Sequence, residues 1–336
     1  MSILKCKERW GVILTVVRLG FVAMSMSLKN ASPSQTMTFA QFSKIKDREA
    51  AIRKLERIAA SNLENCLRIL RHCAVHDIAF FRLSSKLIPL ANHPDLPEWK
   101  FLKPLSDVLG QIAEFLTKHP KMRVDFHPDH FVLLNGSQVD ILTNSVKTLR
   151  IHQQLLKGMK INPEHRCVLH VGGGYQDKEK ALEQFIHNWG LISVSLQQMI
   201  ILENDDKTFG LADTLYLCEK LGIPQVFDYH HHLANHPAMP SWEEEWERVI
   251  GTWQHSSLPP KMHISSPRSD EEYRAHSDYI DSKMFLDFLN GMKGSLPQLD
   301  CMIEAKQKDE ALFQLMDDLK QYPEIEIIDG ASFLIK

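Results

Sequence analysis

The 336-residue chain lacks the features that would tie it to a membrane, a disulfide framework or a nucleotide cofactor. No apolar run approaches the roughly 20 residues of a membrane span, and the six cysteines are scattered without a CxxC pair. Neither GxGxxG after the first apolar run nor GxxxxGKS/T occurs, so no nucleotide-binding loop is predicted. The net charge of −3 provides no overall basic field for a polyanion. We therefore expect a cytoplasmic monomer with reduced thiols, no membrane association and no nucleotide cofactor.

The N-terminal segment resembles a secretion signal only faintly. Lys5, Lys7 and Arg9 precede a short apolar run at 10–17, but no cleavage site of small residues follows it. We therefore interpret residues 1–15 as a disordered leader and residues 16–336 as one domain.

The rest of the chain alternates short runs rich in Val, Ile and Phe with longer stretches of helical periodicity. The predicted strands are 13–23, 79–85, 122–128, 167–173, 199–205, 224–231, 260–267 and 299–306. The predicted helices are 47–76, 101–119, 137–159, 178–189, 211–221, 241–254, 283–292 and 308–322. Eight alternating pairs without a dividing linker predict an α/β chain folded as a single (β/α)8 TIM barrel. A doubly wound open sheet is the alternative.

Imidazole and carboxylate side chains collect at the ends of six successive predicted strands. In chain order these residues are His127, His170, Glu203, Asp228, His231, His263 and Glu304. Strand ends meet at the C-terminal face of a barrel, where active sites are built. This ligand set suits Zn²⁺, Mn²⁺ or Fe²⁺, and its size predicts two or three ions bridged by a carboxylate. Clustered ions of this kind stabilise an in-line displacement at phosphorus.

Each of these residues also has a simpler interpretation. A single histidine after a strand is more often a loop or core residue than a ligand, and "LEND" at 202–205 could begin a helix because Asp and Asn are good N-caps. In "DYHHH" at 228–232, we expect His230 and His232 to lack a metal, with His232 turned outward by strand alternation.

Eight motifs, in order and with suitable spacing, resemble those of the UV damage endonucleases. They are "LGF" at 19–21, "FRLSS" at 81–85, "FHP" at 126–128, "LHVGG" at 169–173, "LENDD" at 202–206, "DYHHH" at 228–232, "KMHISSP" at 261–267 and "MIEAKQKD" at 302–309. The resemblance implies a TIM barrel related to apurinic endonuclease IV. It also implies nicking of damaged double-stranded DNA immediately 5′ of UV photoproducts, both cyclobutane dimers and 6-4 photoproducts, to initiate excision repair.

The resemblance further implies three divalent ions, with Mn²⁺ favoured and Zn²⁺ or Co²⁺ as alternatives. One ion would be held by His127, His170 and Glu203; a second by Glu203, Asp228, His263 and Glu304; and a third by His231 and His276. Spacing alone does not choose His276 over His255.

Glu203 and Lys261 are the predicted catalytic residues, and the resemblance implies that Lys261 can be carboxylated. Lys261 lies two residues before His263 on one predicted strand, so both side chains face the same side. Burial beside cations would favour a neutral, reactive amine. The alternative is a strand-edge lysine that reaches solvent.

The residues expected to contact the lesion depart from the family pattern. The family usually has Gln followed by Tyr or Phe where this chain has His130 and Phe131, and Asn where it has Met24. We expect Phe21, Met24, His130 and Phe131 to bind substrate in an altered lesion-reading site. For Phe21 and Phe131, a place in the core is the alternative.

Two other functions remain open from the sequence. A metal-dependent sugar isomerase or epimerase uses the same barrel and ligand types, although a third metal position and Lys261 argue against it. A non-catalytic relative that binds damaged DNA would explain the altered lesion residues, although the intact ligand set argues against that.

Overall fold

The protein, described here by a computed structural model, contains ten strands and eleven helices within residues 14–175, 177–235 and 241–336. The strands are β1 (Thr15–Val22), β2 (Phe80–Leu83), β3 (Arg123–Phe126), β4 (Cys167–His170), β5 (Ile200–Glu203), β6 (Gln225–Asp228), β7 (Lys261–Ile264), β8 (Gln298–Ile303), β9 (Ile325–Ile327) and β10 (Ser332–Ile335). The predicted leader lies almost entirely outside these ranges, so its interpretation stays a prediction.

The helices are α1 (Phe39–Ser43), α2 (Arg48–Val75), α3 (Ser106–Lys118), α4 (Val139–Gly158), α5 (Lys178–Trp189), α6 (Val194–Gln197), α7 (Leu211–Leu221), α8 (Tyr229–Ala234), α9 (Trp242–Gly251), α10 (Ser282–Met292) and α11 (Lys308–Leu319). All eight predicted helices are present. The three that were not predicted, α1, α6 and α8, have only four to six residues each. Segments this short cannot display a helical period.

The sheet has the topology of a (β/α)8 barrel. Strands β2 to β8 are neighbours in sequence order, β8 pairs with β1, and β1 also pairs with β2. The closed order of parallel strands confirms the predicted TIM barrel and excludes the doubly wound open sheet.

A C-terminal hairpin, β9 and β10, extends the sheet beyond the eight predicted strands. Strand β10 runs antiparallel to β1, with Thr15 opposite Ile335 and Arg18 opposite Ser332. The hairpin was not predicted, because its strands of three and four residues lie outside the eight alternating strand–helix pairs that the sequence pattern shows.

The predicted strand at 224–231 is wrong in its second half. Strand β6 ends at Asp228, and the three histidines lie on the short helix α8. The Asp228 side chain accepts a hydrogen bond of 2.7 Å from the backbone N–H of His231, which makes Asp228 the helix N-cap. Strand alternation therefore does not apply, and His232 is buried rather than turned outward.

The described residues group into two compact units. Unit 1 comprises the described parts of Met1–Val22, Val75–Phe81 and Ile201–Lys336, and unit 2 comprises Ala23–Ala74 and Arg82–Ile200. In unit 1, β1 and β8 are joined by a part-buried bidentate pair in which Arg18 donates to both Asp300 oxygens at 2.7 and 2.8 Å. In unit 2, the buried side chains of Arg123 and Asp125 are joined at 3.0 Å on β3.

The cysteines of the described residues lie in the protein interior. The buried cysteines are Cys66, Cys73, Cys167, Cys218 and Cys301. Burial raises the pKa of the Cys66 thiol to about 12, which makes it a poor nucleophile. No helix in the described part of the chain combines the length and apolar content needed to cross a bilayer.

The close approach of β2 explains why the "LGF" motif has glycine at position 20. A Cβ at this position would lie 2.2 Å from the carbonyl oxygen of Phe80 on β2.

We expect Gly20→Ala to lower the free energy of unfolding by about 1–3 kcal/mol or more, because the backbones of β1 and β2 must move apart. Gly110→Ala in α3, where nothing lies within 4 Å of the new methyl group, should instead stabilise by about 0.5–1 kcal/mol. Urea unfolding of both variants tests this, and equal midpoints would contradict it.

Candidate metal centre

Five predicted ligands of unit 1 form one buried group, the acid–histidine cluster: Glu203, Asp228, His231, His263 and Glu304. Glu203 and Asp228 are the last residues of β5 and β6, and Glu304 directly follows β8. The cluster offers two sets of three ligand atoms, each set within 4.8 Å. These sets are Glu203, Asp228 and His231, and Asp228, His263 and Glu304.

The imidazoles of the cluster lie between carboxylates. His263 Nδ1 is 2.8 Å from Glu203 Oε1 and 3.1 Å from Glu304 Oε1. His231 Nδ1 is 3.5 Å from Glu203 Oε1 and 3.6 Å from Asp228 Oδ2. Because successive parallel strands end at one edge, residues far apart in sequence are brought to within ligand distance of one another.

Main-chain carbonyls orient two histidines of unit 1. The Nδ1 of His231 lies 3.0 Å from the Asn204 oxygen, and the Nδ1 of His276 lies 2.9 Å from the Glu304 oxygen. A carbonyl oxygen only accepts, so Nδ1 carries the proton and Nε2 is the nitrogen that can bind a metal. Histidine ligands commonly have their other nitrogen held in this way. The ring of His276 is half-buried and lies 6.2 Å from that of His231.

The cluster carries more buried negative charge than its own cations offset. Burial, together with Glu203 and Glu304, raises the pKa of Asp228 against the opposing effect of His231. Burial opposes protonation of His231, but the three carboxylates outweigh it and raise its pKa to about 9. Burial lowers the pKa of His263 to about 4, so that ring is neutral. Within the described residues, Asp228 Oδ2 accepts no hydrogen bond. These features fit divalent cations.

Lys261 belongs to the same buried region. Its side chain is 2% exposed, and its Nζ lies 5.3 Å from the centre of the Phe80 ring. Lys261 and His263 are two positions apart on β7, so both side chains face the same side of the sheet. A strand-edge lysine reaching solvent, the alternative considered from the sequence, is therefore excluded.

Unit 2 contains a pair of predicted ligands. His127 directly follows β3 and His170 closes β4, and their ring centres are 5.0 Å apart. His127 Nδ1 lies 3.1 Å from the carbonyl oxygen of Pro128. Gly172, in the "LHVGG" motif, has φ +123°, and a Cβ there would lie 2.1 Å from Asn135 Oδ1. This position therefore requires glycine.

Comparison with known proteins decides the family. The family model described as "UV-endonuclease UvdE" matches residues 17–333. The chain belongs to this family. The resemblance inferred from the sequence motifs is thereby confirmed, and the family is one of endonucleases rather than sugar isomerases.

Individual UvdE relatives match over almost their whole length. A UV DNA damage endonuclease of Halalkalibacterium halodurans is 53% identical over 94% of this chain and 98% of its own. One of Bacillus cereus is 40% identical over the same shares. The crystal structure of SacUVDE has a TM-score of 0.79 and 29% identity, covering 91% of this chain and 98% of that chain.

The predicted substrate contacts His130 and Phe131 form the apex of a turn in unit 2. The backbone N–H of Val132 donates to the Asp129 oxygen at 2.9 Å, and His130 and Phe131 are the two central residues. Their ring centres are 4.0 Å apart, and Phe131 is 75% exposed. Phe131 is therefore a surface aromatic and not part of the core.

The other two predicted substrate contacts differ from each other. Phe21 is fully buried in unit 1, with its ring centre 5.1 Å from that of Phe81 in an edge-on arrangement. This position corrects the prediction for Phe21, because a residue with no exposed surface cannot stack on a base. Met24 is half-buried and follows Ala23, whose φ of +64° turns the chain at the end of β1.

Two buried polar residues were not selected from the sequence. The Asn204 side chain donates to the Asp228 oxygen at 2.8 Å and accepts from the Asp228 N–H at 2.9 Å, and so fixes the end of β6 beside that of β5. His230, which was expected to bind no metal, is buried beside Ser265 and Tyr273. For Asn204, the signal was present in "LEND", where the asparagine directly follows Glu203.

Added Mn²⁺ should stabilise the protein against thermal unfolding. A ligand at a hundredfold excess over its Kd contributes about 2.7 kcal/mol per site. In Asp228→Asn we expect a much smaller rise in Tm, because the amide keeps the helix cap but removes the charge. His255→Gln, at an exposed position ahead of β7, should respond like the wild type. Differential scanning calorimetry with and without Mn²⁺ measures this, and an unchanged response of Asp228→Asn would contradict the cluster as a metal site.

Proposed function

We propose that this chain is a divalent-metal-dependent endonuclease that nicks double-stranded DNA immediately 5′ of UV photoproducts. The observation that carries the proposal is the buried acid–histidine cluster, whose charge requires cations, in a chain of the UvdE family. Hydrolysis there would leave a 3′-hydroxyl and a 5′-phosphate and so begin excision repair.

The proposed metal ligands are those that the family resemblance implies. They are His127, His170, Glu203, Asp228, His231, His263, His276 and Glu304, holding three ions with Mn²⁺ favoured. Bound ions of this type supply Lewis acidity that stabilises the negative charge developing around phosphorus. Two features of unit 1 support the assignment: the histidine tautomers that its carbonyls select and the Asp228 oxygen that accepts no hydrogen bond within the described residues.

The chain's own residues would position the reacting groups. Glu203, fully buried between His263 and His231, would hold both imidazoles in place through its carboxylate. Carboxylation of Lys261 would join its Nζ to the carbon of CO2. Starting from the protonated amine, the conversion releases two protons, one to give the neutral amine and one as the carbamate forms. The product is an anion, which the Lys261 site beside the cluster would tolerate in the presence of metal cations.

Lesion recognition would use the exposed turn of unit 2. To expose a phosphate beside a damaged dinucleotide, the enzyme must kink the duplex and flip the lesion out. The adjacent rings of His130 and Phe131, tilted by 39° to one another, make an exposed aromatic tip that could fill the gap. Met24 offers a flexible apolar side chain where the family usually has Asn, so we expect fewer hydrogen bonds to the lesion.

A nicking assay tests the activity directly. With Mn²⁺, the wild type should cut an end-labelled duplex immediately 5′ of a single photoproduct and leave an undamaged duplex intact. Glu203→Gln should lower the rate by at least about 100-fold, since it removes a charge that binds metal. A wild type that binds the damaged duplex in Mn²⁺ without cutting it would instead favour a non-catalytic binding protein.

Phe131→Ala should weaken binding to the damaged duplex by roughly 5- to 150-fold, because stacking of one base on an aromatic ring is worth about 1–3 kcal/mol. Its Tm should stay close to that of the wild type, since the ring is already exposed. Tyr216→Ala, which removes another exposed aromatic ring on α7, serves as the control. Fluorescence anisotropy with labelled duplex measures both, and equal affinities would exclude Phe131 from the DNA interface.

A further inference from the structure

His230 lies on helix α8 in unit 1, and its ring contacts the loop that follows β7. Its ring is fully buried, with Nδ1 2.5 Å from Ser265 Oγ and Nε2 2.7 Å from the Tyr273 carbonyl oxygen. Because the carbonyl only accepts, Nε2 donates to Tyr273 and Nδ1 accepts from the Ser265 hydroxyl. Both ring nitrogens are therefore engaged by one loop.

That loop is folded back on itself as a narrow hairpin, here called the ligand hairpin and comprising residues 265–277. Pro267 pairs with His276 in an antiparallel bridge. The N–H of Arg268 donates to the Ala275 oxygen at 2.8 Å, and the N–H of Ser277 donates to the Ser266 oxygen at 2.8 Å. Ser265 and Tyr273 lie on the outgoing and returning sides, so His230 contacts both sides of the hairpin.

The two neighbours of His230 are predicted ligands of the same ion. His231 follows it on α8, and His276 lies three residues after Tyr273 on the ligand hairpin. The ring of His230 is 5.6 Å from that of His276 and 6.4 Å from that of His231. A shift of the hairpin relative to α8 would change the separation of these two ligands directly.

We propose that His230 is a positioning residue that ties the ligand hairpin to α8 and so sets the spacing of His231 and His276 for one of the bound ions. This inference rests on the proposed function, since it assumes that both histidines bind metal. Burying a polar ring costs free energy unless its hydrogen bonds are made. Because hydrogen bonds are directional, they fix the orientation of the His230 ring relative to the hairpin more closely than packing alone would.

His232 provides the contrast on the same helix. It is also buried, and its ring lies 5.5 Å from that of Phe227 on β6. Both residues share the packing of α8, and the ring of His232 meets Phe227 on β6, whereas the ring of His230 hydrogen-bonds to Ser265 and Tyr273. Substituting His232 therefore tests general damage to α8 separately from loss of the hairpin contact.

Two substitutions separate the two contacts of His230. In His230→Gln the amide nitrogen reaches about as far as Nε2 and can still donate to Tyr273. In His230→Asn the shorter side chain reaches only the Ser265 side. Mn²⁺ titration of the full-length chain, followed by the EPR signal of free Mn²⁺, gives the number of ions and their affinities for each variant. His232→Gln is the matched control.

We expect His230→Asn to weaken the binding of one ion by about 10- to 100-fold and leave the others unchanged, as is typical when a group that supports a metal ligand is lost. His230→Gln, which keeps the Tyr273 contact, should weaken that ion less than His230→Asn does, and His232→Gln should retain it. Nicking by His230→Asn should recover as Mn²⁺ is raised, with KM for the duplex unchanged, whereas His276→Ala should not recover.

The outcomes distinguish this inference from the proposed function. Unchanged Mn²⁺ affinities in His230→Asn, or an equal loss of every ion, would overturn the positioning role while leaving the endonuclease intact. A wild type that binds no Mn²⁺ would overturn the proposed function itself.

If His230→Asn does not fold, Ser265→Ala provides a second test, because it removes one of the two contacts of His230 from the hairpin side. It should increase hydrogen exchange at 268–277 and weaken the same ion, and no change in either would count against the proposal.

Discussion

Burial of carboxylates at the carboxyl ends of the unit 1 strands is the constraint on which the rest of the site depends. Glu203 and Asp228 have no exposed surface, and Glu304 is largely covered. Removing such charges from water costs on the order of several kcal/mol each unless cations and hydrogen bonds compensate. A histidine that retains its proton offsets only part of this charge. The cluster is therefore suited to added cations, and the proposed metal binding would link its stability to its chemistry.

Asp228 joins local structure to this chemistry. One of its oxygens caps helix α8, and the other is available within the cluster. The cap ends strand β6 and turns the chain, which places His231 beside the carboxylates and buries His230 and His232 behind it. Asp228, a proposed ligand, thus also decides the backbone path that brings a second proposed ligand, His231, into reach.

Loops in unit 1 are held to the strand ends by backbone and amide contacts. Asn204 pairs with both main-chain groups of Asp228, and Asn235 donates to the oxygen of Asp205 at 3.1 Å. Arg274, in the ligand hairpin, donates to the oxygen of Asp206 at 2.9 Å. These contacts link the segments after β5, β6 and β7, and preorganised ligands bind ions with less loss of conformational entropy.

The sequence by itself determined the barrel, the identity of the ligand types at successive strand ends and the family, because hydrophobic periodicity and residue chemistry are local properties. Only the tertiary structure decided that the three histidines lie on a helix and that Phe21 belongs to the core. It also decided between two candidate histidines, because His276 follows the carboxyl end of β7 whereas His255 precedes that strand. The contact of His230 with Tyr273 joins residues 43 positions apart. Such hydrogen bonds depend on how distant segments of the chain pack together, and a local sequence pattern does not predict them.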